Sequence, residues 1–181
     1  MSKIDHDAYT DQYLRDILEQ TKSVAIIGAS ANKVRPSFFV TSYLVNKGYK
    51  VFPINPGQAG TEIAGAMSYA SLADLSKSVD IPVDMIDIFR KPEALPGIVD
   101  EIFAMPDLPK VVWMQLTIRD DAIAATLQDS GIKVVMNRCP KIEYARLCGE
   151  IAWMGFNRKT ISSKKPVLAK GYQHFGLAKE D

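Results

Sequence analysis

The chain has 181 residues, 47% hydrophobic and 24% charged, with a formal net charge of +1. That size and balance are those of an ordinary soluble globular protein with one core, and the strand-sized apolar runs leave nothing to span a membrane. The N-terminus MSKIDHDAY lacks the apolar stretch of a signal peptide, and two cysteines are too few for a disulfide framework, so a cytoplasmic setting is expected.

Between Asp7 and Lys22, Tyr9, Tyr13, Leu14, Ile17 and Leu18 share one helical face, with acids near the start and Lys22 at the end. Ser23 to Ile27 is a short β-branched run, as expected of a strand buried on both faces of a parallel sheet. Gly28 ends it. Residues Ala29 to Arg35 are small, polar or basic, and Pro36 opens a helix on which Phe39, Val40, Tyr43 and Leu44 recur. Gly48 stops that helix, and Tyr49 to Ile54 is the next strand, reached by a right-handed crossover. The chain is then irregular to Ala66, with a short edge strand placed at Met67 to Ala70 and a capping pair, Ser71 and Asp74, before one helical turn.

Pro82 precedes a strand from Val83 to Phe89 that contains Asp84 and Asp87, three apart and so facing opposite ways, and each needs a partner or an exit to water. Leu95, Ile98, Val99, Ile102 and Phe103 give a helical stripe running to Met105. Lys110 to Met114 is a strand ending at Gln115, Arg119 to Ser130 a helix closed by Gly131, and Ile132 to Met136 another strand. Pro140 opens a last short helix that Gly149 closes. The alternation predicts an α/β fold, a doubly wound parallel sheet of five or six strands, with ligands outside the strands' carboxyl ends. Residues 1–150 form that single domain and carry 16 Lys+Arg against 19 Asp+Glu; residues 151–181 carry 6 against 2. This basic extension, with Trp153, Phe156, Tyr172 and Phe175, is read as packing on the acidic domain or on a partner subunit, since no nucleic-acid motif accompanies it.

A strand–loop–helix unit aims the helix's unpaired N–H groups at whatever lies beyond the strand, and its dipole favours an anion there. The dinucleotide fingerprint wants G-x-G-x-x-G and, roughly 20 residues on, an acid for the ribose 2′-hydroxyl. Here only Gly28 is present, the loop carries Lys33 and Arg35, and the second strand ends in Ile54-Asn55-Pro56 with no carboxylate. A ligand with extra phosphate on its ribose suits this loop better than a free diol.

VAIIGAS at Val24 to Ser30, RPS at Arg35 to Ser37, GYKVFPINP at Gly48 to Pro56, VDMIDIFRKPEAL at Val83 to Leu95, and then VWMQLTIR and VVMNRCPKIEY form an ordered set. This set resembles the small CoA-binding proteins of Rossmann-like fold, related to the CoA-binding domain of the succinyl-CoA synthetase α subunit, over about Asp7 to Leu147. The resemblance implies coenzyme A as ligand, whose 3′-phosphate and pyrophosphate agree with the charge of the loop. The expected protein is thus a carrier, sensor or accessory protein for CoA or acyl-CoA, with a homo-oligomer open. The synthetases' ligase chemistry needs a phosphorylated histidine, and this chain has only His6 and His174, both near the termini. An NAD(P)-dependent oxidoreductase on the same fold and a noncatalytic interaction protein acting through the basic tail are the rivals.

Gly28, Ala29, Ser30, Lys33, Arg35, Pro36 and Ser37 are expected at the phosphates, where each charge-assisted bond contributes roughly 1.5–3 kcal/mol. Asn55 and Pro56 lie where adenosine is expected, or form a plain turn. Phe89 and Arg90 can border the adenine by stacking or cation–π contact, with the core equally open to Phe89. Gln115 and Asn137 end the last strands and suit the pantetheine amides. Cys139, beside Arg138 and before Pro140, has two features that lower a thiol pKa, though a plain small residue before a helix is the simpler reading. Two positions depart from the resembled family, which commonly has glycine where this chain has Thr117 and an acid where it has Asn137.

Overall fold

A computed structural model describes residues 4–149. The tail 151–181, His174 included, lies outside the described residues. In chain order the elements are α1 (Asp11–Gln20), β1 (Ser23–Ile27), α2 (Pro36–Asn46), β2 (Lys50–Ile54), β3 (Glu62–Ile63), β4 (Ala66–Met67), α3 (Leu72–Ser78), β5 (Met85–Ile88), α4 (Leu95–Phe103), β6 (Val111–Met114), α5 (Asp121–Asp129), β7 (Lys133–Val135) and α6 (Pro140–Leu147). Five strands form one parallel sheet in the order β2-β1-β5-β6-β7, so the fold is α/β and Rossmann-like, as the alternation of strands and helices requires.

Period-2 alternation divides the strand residues between two cores. Val24, Ile26, Met85, Val111, Trp113 and Val135 pack with Leu14, Ile17 and Leu18 of α1, Val40 and Leu44 of α2, and Tyr144 of α6. Ala25, Ile86, Ile88, Val112, Met114 and Val134 pack with Leu72 and Leu75 of α3, Leu95, Ile98 and Ile102 of α4, and Leu127 of α5. Both faces are therefore covered, which is why β1 reads as an unbroken apolar run. Trp113 is fully buried, and its indole N–H donates to the carbonyl of Arg138 at 2.8 Å, which ties β6 to the start of α6.

Three expectations change in detail. Thr10 caps α1 by accepting from the Tyr13 amide, so the helix starts at Asp11 rather than Asp7 and stops before Lys22. Tyr9 is freed to run elsewhere: its hydroxyl accepts from the Met136 N–H at 2.7 Å, while its ring stacks on Tyr13. In place of an edge strand at Met67 to Ala70, Ala66–Met67 pairs antiparallel with Glu62–Ile63, and Tyr69 makes a single bridge to Ile54. The main sheet consequently has five strands. Ser71 and Asp74 do form the capping pair, Ser71 accepting from the Asp74 amide and Asp74 from the Ala70 amide, at the head of a helix longer than one turn.

The two aspartates of the β5 segment meet different fates. Asp84 sits before the strand, where its carboxylate accepts from the N–H groups of Lys22 and Ser23 and pairs with the Lys110 ammonium at 2.8 Å. Burial pushes its pKa up, but these donors outweigh it and hold the carboxyl below the usual range. Asp87 lies inside the sheet with no exposure at all.

Candidate functional site

The order in which strands are added reverses between β1 and β5, although all run parallel: from β1 the chain crosses to β2 on one side, whereas β5, β6 and β7 extend the sheet on the other. Ligand crevices in open α/β sheets lie at such a point, outside the carboxyl ends of the strands. Gly28 leaves β1 there with φ +85°, and a Cβ on it would lie 3.0 Å from the Phe89 carbonyl oxygen and 3.0 Å from Cδ of Arg90. Glycine thus supplies both a left-handed turn and close approach of two strand exits.

Beyond Gly28 the loop is held by its own polar atoms. The Ser30 hydroxyl accepts from the Asn32 N–H and the Asn32 side chain from the Val34 N–H. Asn55 donates to the Ala29 carbonyl at 2.6 Å and accepts from the Gly57 N–H, so it braces the exits of β1 and β2 against each other. Pro56 follows in a single 3-10 turn, Pro56–Gln58. Gln58, which sequence reasoning missed, accepts from the Ala31 N–H at 2.9 Å. No side chain caps the N-terminus of α2, whose Arg35 is the cap residue. Lys33 and Arg35 are exposed, with no ion pair among the described residues, while Ala29 and Ser37 are buried. The loop therefore sets two cations around an open helix dipole.

Next to it lies a cleft of about 550 Å³ between the first turn of α2, the exits of β5 and β6, and the start of α6. Pro36, Phe89, Arg90 and Gln115 line it, as do Phe39, Leu116 and Ile142, which are 51%, 49% and 44% exposed. Phe39 recurs with Val40 and Leu44 on α2, but those two are buried in the core whereas Phe39 is turned to the cleft. Lys91 and Lys141 add positive charge to the lining. A second depression, about 440 Å³, lies beside Lys22, Gly48 and Tyr49, at the amino ends of the strands. The switch-point rule favours the first.

Three side chains at the cleft margin carry unusual conformations or environments. Thr117 has φ +69° and Asn137 φ +53°, and the Asn137 side chain accepts from the Thr117 N–H at 2.9 Å. Left-handed φ is a genuine outlier for a β-branched residue, and glycine would adopt it freely. Thr117→Gly is accordingly expected to raise stability by about 1 kcal/mol, measured as a shift in urea midpoint at constant m. Cys139 is buried, and burial pushes its thiol pKa up, with the charge of Asp87 acting in the same direction. The lowering expected from Arg138 and the helix start is thereby overturned: desolvation wins.

Comparison with known proteins places this geometry in a class. Residues 22–145 match the model of the CoA binding domain, and the chain belongs to that family. The uncharacterized protein YneT of Bacillus subtilis (strain 168) is 32% identical over 132 residues, covering 73% of this chain and 92% of that protein. A solved structure from Thermus thermophilus, cell-free ID.343, is 38% identical with a TM-score of 0.69, covering 76% of this chain and 98% of that one. The acetate–CoA ligase (ADP-forming) II of Archaeoglobus fulgidus is 33% identical over 89 residues, which are 48% of this chain but 13% of the ligase.

Proposed function

We propose that the protein binds coenzyme A or an acyl-CoA as a carrier, sensor or accessory protein, with the phosphates at the Gly28–Ser37 loop and the pantetheine arm in the neighbouring cleft. The observation that carries this reading is the meeting of two unlike surfaces at Pro36. On one side stand Lys33 and Arg35, without an ion pair among the described residues, at an open helix N-terminus; on the other, an apolar cleft edged by Phe39, Leu116 and Ile142. A nucleotide with several phosphates and a long, mostly apolar arm matches both at once. Asn55 and Pro56 border the adenosine, Phe89 and Arg90 the passage between the two surfaces, and Gln115 and Asn137 the far end of the arm. Residues in these positions bind and orient; no nucleophile and base stand together among them.

The class of ligand also favours a cytoplasmic protein. No helix among the described residues is long and apolar enough to cross a membrane. Calorimetric titration of CoA against Lys33→Ala and Arg35→Ala tests the phosphate site. Each substitution is expected to weaken binding about tenfold or more, the equivalent of one charge-assisted bond. Unchanged affinity in both variants would remove the loop from the site.

A further inference from the structure

Asp87 is the one carboxylate enclosed in the sheet. It has no solvent exposure, and its strand neighbours in register are Ile26 of β1 and Trp113 of β6. No cation among the described residues answers it: its partner is the side-chain amide of Gln115, whose Nε2 donates to both carboxyl oxygens, at 2.9 and 3.0 Å. Gln115 in turn lines the cleft, and its Oε1 has no hydrogen bond among the described residues yet is not sealed from solvent. A buried acid thus touches the ligand cleft through one reversible dipole.

An amide can face a carboxyl group in two ways. An ionised carboxylate only accepts, so it captures the amide N–H and leaves the carbonyl oxygen outward; a protonated one can donate to that oxygen and leave the NH2 outward. We propose that Asp87 and Gln115 form a proton-controlled pair that sets the polarity of one hydrogen-bonding position in the cleft: donor when Asp87 is protonated, acceptor when it is ionised. Resting on the reading of the cleft as the site of the pantetheine arm, the pair then selects for a carbonyl oxygen, that of a pantetheine amide or an acyl thioester, in its protonated state.

The surroundings allow this switch near neutrality. Burial pushes the Asp87 carboxyl up to about 8, with the Gln115 bond the opposing influence. From α6 the Cys139 thiol is the titratable group that feels the Asp87 charge, while Arg90 and Lys91 after β5 and Lys141 of α6 stand on the cleft wall. Loss of the proton from Asp87 to solvent is the only chemical change; no bond in the ligand is made or broken.

The test has two arms. In the free protein, the side-chain amide resonance of Gln115, assigned by its loss in Gln115→Leu, should move with a single titration between about pH 7 and about pH 9.5 and stay fixed in Asp87→Asn. In the same range, acetyl-CoA affinity of the wild type should fall about tenfold relative to Asp87→Asn, the cost of turning a donor into an acceptor against a carbonyl. A Gln115 resonance that titrates identically in both proteins, or not at all, overturns the pair whatever the ligand. Acetyl-CoA binding with parallel pH profiles also overturns it and leaves the CoA reading standing. A titrating Gln115 with no acetyl-CoA binding at any pH overturns that reading, and with it the selection for a carbonyl.

Discussion

Asp87→Asn is expected to stabilise the protein at pH 8, by an amount on the order of 5 kcal/mol, and to change it little at pH 4. The reason is the difference between a carboxyl near 3.8 in the unfolded chain and one pushed up to about 8 in the folded sheet. Since the folded state holds this proton more tightly, the contribution is fully present below the unfolded value. It declines as pH rises toward the folded one, and above that the penalty is constant. Asparagine keeps the shape and an amide partner for Gln115 but has nothing to ionise. Urea unfolding of both proteins at several pH values checks this: the two stability curves should converge in acid and diverge up to about pH 8. Curves that run parallel would mean that Asp87 is ionised in the folded state without cost. A group retained against such a penalty is of the kind found at functional sites.

Gly28→Ala is expected to lose about 3 kcal/mol of stability and CoA binding with it. Two independent costs combine. An alanine at φ +85° occupies the left-handed region at roughly 1–2 kcal/mol. Its Cβ would also lie 3.0 Å from the Phe89 carbonyl oxygen, a backbone atom fixed by the Phe89 N–H bond to Ile27 and unable to swing aside as the Arg90 side chain can. The strand exits must therefore separate at the point where the crevice opens. The denaturation midpoint reads the first effect and calorimetry with CoA the second. A variant with wild-type stability and affinity would mean that the two exits are not held at this spacing.

What the sequence made legible was local and periodic. Gly28, Pro36 and Gly48 punctuate β1, α2 and β2 because each has a backbone role that few other residues fill. Strand ends at Gln115 and Phe89 could be read because apolar runs stop there, and strand ends are where such sheets put their sites. Facts that depend on residues far apart in the chain were hidden. Nothing near Tyr9 reveals that its hydroxyl takes the Met136 N–H, so the helical period alone carries α1 back to Asp7. Phe39 follows the helical period, yet it faces the cleft while Val40 and Leu44 face the core, a division the period alone does not mark. Lys141 and Ile142 read as the start of a short helix, with no local signal of which side meets the cleft. Cys139 carries neighbours that favour a thiolate, yet burial, a tertiary property, decides its titration. Alternation placed Asp87 on the face opposite Asp84; that its partner is an amide and not a cation follows only from the register of β5 against β6. Thr117 was visible as a departure from glycine, and the left-handed backbone supplies the physical content of that departure.

In the proposed complex, the cation-bearing turn at the exit of β1 holds a nucleotide whose ribose is itself phosphorylated. Thermal unfolding in the presence of CoA, 3′-dephospho-CoA, NADP and NAD tests it most directly, because a ligand that binds only the folded state raises the midpoint in order of affinity. CoA should give the largest shift, with 3′-dephospho-CoA below it and the gap between them narrowed in Lys33→Ala and Arg35→Ala. Equal shifts for the two CoA forms, or a larger shift with either nicotinamide nucleotide, would contradict it.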